Sequence, residues 1–132
     1  MSVNNEVISE SQEAGESLPH GLFVMIVSMV LFGVTALVYW PACANGFVQW
    51  DDQAYVYEQP QVLKGLSLGG VYWALTAYVA GNWHPMTLIS LQLDAQMFGS
   101  DAFGFHRTAV MLHAANSVLA FLASLFGMVK LS

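Results

Sequence analysis

Two long hydrophobic stretches without any charged side chain lie on either side of a more polar middle segment. Residues 21–40 contain no Asp, Glu, Lys or Arg, and neither do residues 108–129. At about 1.5 Å of helical rise per residue, each stretch covers roughly the 30 Å hydrocarbon core of a bilayer. The pattern predicts an all-α membrane protein with two transmembrane helices, joined by a long loop over residues 41–107 and followed by a short tail, residues 130–132.

The segment before the first hydrophobic stretch is polar and acidic. Residues 1–20 contain several glutamates and no Lys or Arg. A secretory signal peptide needs a basic region ahead of its apolar run, so the first span is predicted to be retained as an anchor. Because the segment has little apolar surface to offset the entropy of ordering, it is predicted to be a disordered acidic tail.

The loop between the spans carries the start and stop signals of short helices. Ser67 is placed to cap a helix over residues 68–79. Pro85 fits the first turn of another helix, which is predicted to run to Phe98 because Gly99 follows it.

The helix predicted from Pro85 to Phe98 is amphipathic. Most of its surface is apolar, and its polar side chains share one face: Thr87, Ser90 and Asp94. A helix that is too short and too polar to span a bilayer suits the membrane interface, with its polar face turned toward protein or water. The loop is therefore predicted to be an interfacial platform.

The second span has one face of small or polar residues, at alternating helical spacings: Ala109, His113, Asn116, Ala120, Ala123 and Gly127. Small residues allow helices to approach closely, and His or Asn can hydrogen-bond across a helix pair. We therefore predict that His113, Asn116 and Ala120 pack against further transmembrane helices. Polar groups inside a span are also often functional, so a functional role for His113 and Asn116 remains an alternative.

The net charge, the single cysteine and the placement of the basic residues bear on the class of function, on possible disulfide and zinc sites, and on the orientation in the membrane. The chain has 132 residues, 56% of them hydrophobic, and a formal net charge of -6. This acidic balance excludes a nucleic-acid-binding role, which needs a basic face. Cys43 is the single cysteine, so there is no intrachain disulfide, and no Cys/His spacing typical of zinc is present. The three basic residues are too evenly placed to predict the orientation in the membrane.

Asp51 and Asp52 form an acidic pair shortly after the first span, in a chain with only 9% charged residues. A carboxylate within about 3 Å of a hydroxyl can remove its proton as the oxygen attacks, which is general-base catalysis. The alternative is that the pair is turn chemistry or solvated charge. The scarcity of charge elsewhere in the chain and the closeness of the pair to the first span are enough to make the pair a candidate site.

Residues 45–124 resemble the first loop of membrane glycosyltransferases of the GT-C fold. The most similar group is the O-mannosyltransferases in which many transmembrane helices are followed by tetratricopeptide repeats, together with their bacterial relatives. The resemblance rests on the order and spacing of these motifs: Asn45-Gly46-Phe47, Trp50-Asp51-Asp52, Tyr55-Val56, Pro60, Gly70-Val71, Trp73-Ala74, Asn82-Trp83-His84-Pro85, Ser90, Leu93-Asp94, Phe98-Gly99, His106, Leu112-His113 and Asn116-Ser117.

The resemblance implies transfer of a sugar, expected to be mannose, with inversion at the anomeric carbon. The donor would be a polyprenyl- or dolichyl-phosphate sugar and the acceptor a protein hydroxyl, at the bacterial inner membrane or the endoplasmic reticulum. Members of this family place an acidic motif in the first loop outside the cytoplasm, where one carboxylate is the general base. By position that motif is Asp51-Asp52, with Asp51 as the base and Asp52 orienting or assisting.

Three further residues are assigned to substrate or lipid phosphate. His84 and Asp94 are expected to line the same site, and Arg107 to meet a lipid phosphate, because its guanidinium matches phosphate oxygens. The alternatives are that His84 helps to cap a helix, that Asp94 is the wet side of an amphipathic helix, and that Arg107 anchors the chain at the headgroups. Tryptophans of the loop are expected to seat it at the interface or to stack on a sugar: Trp50, Trp73 and Trp83.

The chain departs from the family in size. Relatives have many more spans and a large repeat region, whereas this sequence has two spans and no such repeat. We therefore expect the N-terminal part of a glycosyltransferase, incomplete as a stand-alone enzyme, with metal dependence open. The alternative from another class is a non-catalytic two-span membrane adaptor or assembly protein.

Overall fold

The computed structural model describes residues 19–130. All regular elements within this range are helical: α1 (His20–Tyr39), a 3-10 helix (Trp40–Ala44), a π-helical turn (Gln53–Tyr57), α2 (Pro60–Leu63), α3 (Leu68–Thr76), α4 (Pro85–Phe98) and α5 (Ala102–Lys130). The predicted disordered tail lies outside the described residues, except for Pro19 and His20, and so do residues 131–132. The all-α prediction is confirmed for the part of the chain that is described.

Two helical segments are long and apolar enough to cross a membrane, His20–Ala44 and Ala102–Gly127. They pack side by side in opposite directions. The Tyr39 ring lies edge-on to the imidazole of His113, with 4.7 Å between centroids, and the Thr35 hydroxyl donates to that of Ser117 at 3.5 Å. The hydrophobic pattern thus predicted both long apolar helices, although α5 begins before residue 108.

The early start of α5 has a local cause. The carboxylate of Asp101 accepts a hydrogen bond from the backbone N–H of Phe103 at 3.1 Å, which caps the first turn. With 29 residues, α5 is roughly 43 Å long, whereas the hydrocarbon core is about 30 Å thick. The first turns of α5 offer a surface on which the loop packs.

The face of α5 that contacts α1 is not the face singled out by the spacing of small residues. The buried positions are Val110 and Ala114, with Ala114 fully buried. Asn116 and Ala120 are exposed, and His113 touches Tyr39 from the edge of the contact. The predicted packing face is thus left uncovered by α1, and its packing against further helices stays a prediction.

Residues 45–101 form a small helical body against the first turns of α5. Its core combines residues from every helical element of the loop with one from α5: Val56, Val62, Ala74, Val79, Leu88, Ala95 and Phe105. Leu88 is fully buried in α4, the helix that packs against α2, α3 and α5. The body is therefore organised around α4.

The helix bounds inside this body follow the sequence signals in part. The Ser67 hydroxyl accepts from the N–H of Gly70 at 3.0 Å, so the predicted cap of α3 is confirmed. The predicted end at residue 79 is wrong, because α3 stops at Thr76 and the backbone of Ala77 is extended. The bounds of α4 are as predicted, and Gly99 follows with a positive φ of 65°.

α3 and α4 approach each other most closely at Gly70. The side-chain amide of Gln92 donates to the carbonyl of Gly70 at 3.1 Å, in a buried contact. A Cβ atom on Gly70 would collide with Oε1 of Gln92. In contrast, a Cβ on the neighbouring Gly69 would meet open space.

This pair of adjacent glycines gives a matched test of the packing. We expect Gly70→Ala to lower the free energy of unfolding by ~1–3 kcal/mol, because the methyl group displaces the Gln92 amide. Gly69→Ala should leave stability unchanged or raise it by up to about 1 kcal/mol, since alanine favours the helix. Thermal unfolding of both variants in nanodiscs measures the difference. Equal stability of the two variants would contradict this packing.

Candidate functional site

The acidic pair lies in an open cleft of about 400 Å³. The cleft gathers residues that are far apart in the sequence: Asp51, Asp52, Tyr55, Val56, Asn82, His84, Thr87 and Leu91. Its volume is within the range of small-ligand sites, about 300–1,000 Å³. Of the predicted site residues, the cleft therefore brings together the two aspartates and His84.

The two aspartates have different surroundings. The carboxylate of Asp52 accepts a hydrogen bond from the backbone N–H of Val48 at 2.9 Å and so fixes the bend that leads into the π-helical turn. The side chain of Asp51 is exposed, and within residues 19–130 its carboxylate accepts no hydrogen bond from the protein. Asp51 is thus free to accept a proton from a ligand, whereas Asp52 holds the loop.

Tyr55 connects the two sides of the cleft. Its hydroxyl donates to the carbonyl of Val79 at 3.1 Å and accepts from the side-chain amide of Asn82 at 3.3 Å. Its ring also lies beside that of His84, with 6.2 Å between centroids. Sequence reasoning assigned neither Tyr55 nor Asn82 to the site, although both belong to the motifs that carry the resemblance.

A tight turn places Asn82 and His84 at the cleft. The backbones of Val79 and Asn82 exchange two hydrogen bonds, at 3.0 and 2.9 Å. The two residues between them, Ala80 and Gly81, have φ angles of 49° and 79°. Such a turn needs positive φ at both central positions, which glycine adopts freely and alanine at a cost.

His84 occupies the residue before α4 but does not cap it through its side chain. His84 is thus the N-cap residue of α4 through its backbone, since its carbonyl accepts from the N–H of Leu88 at 3.0 Å, and its imidazole takes no part in the cap. The imidazole lines the cleft instead, next to Tyr55. It is available there as a hydrogen-bond donor or acceptor to a bound hydroxyl.

Asp94 lies in an adjoining groove rather than in the acidic cleft. This groove, of about 370 Å³, runs between α4 and the start of α5 and shares Thr87 and Leu91 with the cleft. Asp94 is only 5% exposed and its carboxylate accepts from the Thr108 hydroxyl at 2.6 Å. The alternative that Asp94 lies on the water-exposed face of an amphipathic helix is therefore wrong.

The pKa of Asp94 is raised above its ordinary value of 3.8. Burial is the main cause, since it disfavours the charged carboxylate. The hydrogen bond from Thr108 and the positive charge of Arg107 act in the opposite direction and offset part of the effect. The interior of the groove is thus a place where a carboxyl group holds its proton more tightly than in water.

Arg107 lines neither the cleft nor the groove. Its guanidinium lies over the ring of Phe98, 4.6 Å from the centroid, at the corner between α4 and α5. A cation over an aromatic face is held by the ring's electrostatics, which keeps Arg107 at the level where α5 leaves the loop body. Recognition of a lipid phosphate by Arg107 stays a prediction, as does the headgroup anchor.

Two further features of the loop are the positions of its tryptophans and of the side-chain types that can bind a metal ion. Trp50 and Trp83 are exposed, whereas Trp73 packs partly against the core. Within residues 19–130, no group of three or more His, Cys, Asp or Glu side chains is arranged to hold a metal ion. The acidic cleft is the place where the candidate chemical groups converge.

The raised pKa of Asp94 gives a pH-dependent stability with a defined sign. The folded protein keeps this proton to a higher pH than the unfolded chain, so stability falls as the pH rises from 3.8 through the raised pKa. We expect Asp94→Asn to remove this fall, because asparagine still accepts from Thr108 but does not ionise.

Unfolding midpoints measured between about pH 4 and pH 7 test this expectation, with Glu58→Gln as the control. Glu58 is exposed and lies outside both cavities, so the control should keep the wild-type slope. A slope in Asp94→Asn equal to that of the wild type would show that this carboxyl is not the cause.

Comparisons with known proteins give no match that would indicate a function. The chain matches no protein-family model, no curated protein and no solved structure.

Proposed function

We propose that the chain forms the acceptor side of an inverting glycosyltransferase of the GT-C kind, which uses a polyprenyl- or dolichyl-phosphate sugar. The observation that carries the proposal is the convergence of Asp51, Asp52 and His84 in one cleft, in a chain with two helical segments long and apolar enough to cross a membrane. A lipid-linked donor reaches such a cleft from the bilayer, and a hydroxyl acceptor reaches it from the aqueous side.

In the proposed reaction, Asp51 accepts the proton of a Ser or Thr hydroxyl as the oxygen attacks the anomeric carbon. The new C–O bond forms on the face opposite the phosphate, the bond to the phosphate oxygen breaks, and the lipid phosphate leaves with the electron pair. Asp51 suits the role of base because its carboxylate is exposed in the cleft. Asp52 has a positioning role, because its hydrogen bond with Val48 fixes the loop.

The remaining walls of the site are proposed to come from further transmembrane helices. The cleft is open, and its polar residues all lie on the loop. No Lys or Arg lines it, and Arg107 lies at the α4–α5 corner outside it. Mannose, a protein acceptor and an extracytoplasmic position of the loop belong to this proposal through the resemblance of the motifs.

A second candidate, a non-catalytic membrane adaptor, is favoured by a different observation. Asn116 and Ala120 are exposed on a face of α5 that α1 does not cover. A polar amide within a span is costly in hydrocarbon, so a partner helix that hydrogen-bonds it would be favoured. In this case the acidic cleft would have no role in chemistry.

Conservative substitutions in the cleft distinguish the two functions. In membranes that contain the complete assembly, we expect Asp51→Asn to lower sugar transfer by ~10²- to 10⁴-fold, the usual contribution of a general base. Asp52→Asn should have a smaller effect, because an amide oxygen can still accept from Val48. Glu58→Gln, in the same loop but outside the cleft, should transfer sugar at the wild-type rate.

Partner association is measured alongside, by co-purification from detergent. Loss of transfer in Asp51→Asn with association intact supports the transferase. Wild-type transfer by Asp51→Asn would remove Asp51 as the base. If association depended on Ala120 but no variant of the cleft altered transfer, the adaptor would be the better account.

A further inference from the structure

α3 buries small residues and exposes large apolar side chains, which is the reverse of a helix on the surface of a water-soluble protein. Its buried side chains are the smallest ones, Gly70 and Ala74, and these face α4. Three of its large apolar side chains are exposed, at i, i+4 and i+7, namely Leu68, Tyr72 and Leu75, whereas Trp73 packs partly against the core. Leu68 is 93% exposed and Tyr72 is 70% exposed.

Trp83 extends this surface beyond the end of α3. Its indole N–H donates to the carbonyl of Leu75 at 2.9 Å, which is one of the carbonyls that the end of the helix leaves without a partner. The bond fixes the indole beside the last turn, and the side chain is still half exposed. We call Leu68, Tyr72, Leu75 and Trp83 together the outer face of α3.

No charged residue lies in the stretch of sequence that carries the outer face of α3. Between Lys64 and Asp94 the sequence contains no Asp, Glu, Lys or Arg. A protein surface that meets water is rich in such residues, and a docking site for another soluble protein usually has a charged or polar rim. Tyrosine and tryptophan next to leucine are instead the composition of the boundary between headgroups and hydrocarbon.

The geometry keeps the outer face near the bilayer. The loop body continues at each end into one of the two long helical segments, and α4 packs on the first turns of α5. The end of the first segment also meets the start of the second, with the rings of Trp40 and Phe103 6.2 Å apart. α5 exceeds the hydrocarbon core by roughly 13 Å, so the body that packs on its first turns lies within about that distance of the core.

We infer that the outer face of α3 lies on the same bilayer that α1 and α5 cross, with its apolar side chains between the headgroups and the hydrocarbon. Helices of this kind bury their apolar face about 5–10 Å into the boundary. The contact differs from the sequence-based expectation for α4, because α4 is held inside the body and α3 presents its large side chains. The inference does not rest on the proposed transferase function.

The test uses the full chain in nanodiscs, with one fluorescent label at a time. Leu68→Cys and Tyr72→Cys place an environment-sensitive dye on the outer face, and Glu58→Cys places it on an exposed position of the π-turn segment as the matched control. Cys43 is buried and is replaced by alanine in all three proteins. The labels are read by iodide quenching from water and by spin-labelled lipids quenching at known depth.

We expect the labels at residues 68 and 72 to emit at shorter wavelength than the control, with iodide quenching several-fold weaker. Spin labels near the glycerol backbone should quench them more than spin labels at the end of the acyl chain. Iodide quenching at residues 68 and 72 equal to that at residue 58 would overturn the inference. So would protection from iodide without any quenching by lipid, because this would indicate a protein contact such as a second copy of the chain.

Discussion

The position of α4 is the constraint on which the rest of the loop depends, and two glycines set it. Gly70 of α3 lies against Gln92, and Gly104 of α5 lies against the ring of Phe98. At both places a Cβ atom would collide with the α4 side chain. α4 is therefore held between a helix of the loop and the long apolar helix α5, at distances that only glycine permits.

Both cavities follow from this placement. The start of α4 brings His84 and Thr87 to the acidic cleft, and its middle brings Asp94 to Thr108 of α5. Because α4 is packed against the first turns of α5, the cleft keeps a fixed position relative to α5. The outer face of α3 depends on the same contact, since Gly70 and Ala74 turn toward α4 and leave Leu68 and Tyr72 outside.

The sequence was sufficient for the elements with strong local signals. The two spans follow from uncharged length, the start of α3 from Ser67, and α4 from Pro85 and Gly99. The early end of α3 and the π-helical turn could not be predicted, because they depend on tertiary contacts such as the bond from Tyr55 to Val79. The face of α5 that meets α1 could not be predicted from the spacing of small residues either, because the buried positions Val110 and Ala114 lie outside that spacing.

The residues of the candidate site, like the helices, were predictable from the sequence only in part. Residues close together in the sequence, such as Asp51 and Asp52, were identified from their rarity and the resemblance. Asn82 and Tyr55 were not. Asn82 is placed by a turn with positive φ at Ala80, which the sequence does not predict, and Tyr55 meets that turn only through tertiary hydrogen bonds to Val79 and Asn82. Asp94 was assigned to the same site, but it lies one helix turn or more along α4, in the groove that adjoins the cleft.

In the proposed reaction, Asp51 removes the proton of an acceptor hydroxyl. The most direct measurement compares Asp51→Asn with the wild type on two acceptor peptides that differ only in Ser or Cys at the reacting position. At about pH 9 a cysteine acceptor is largely thiolate, since its ordinary pKa is about 8.5, and it needs no base. The account predicts that the variant loses transfer to the serine peptide and keeps transfer to the cysteine peptide. Undiminished transfer to serine, or equal loss with both peptides, would contradict it.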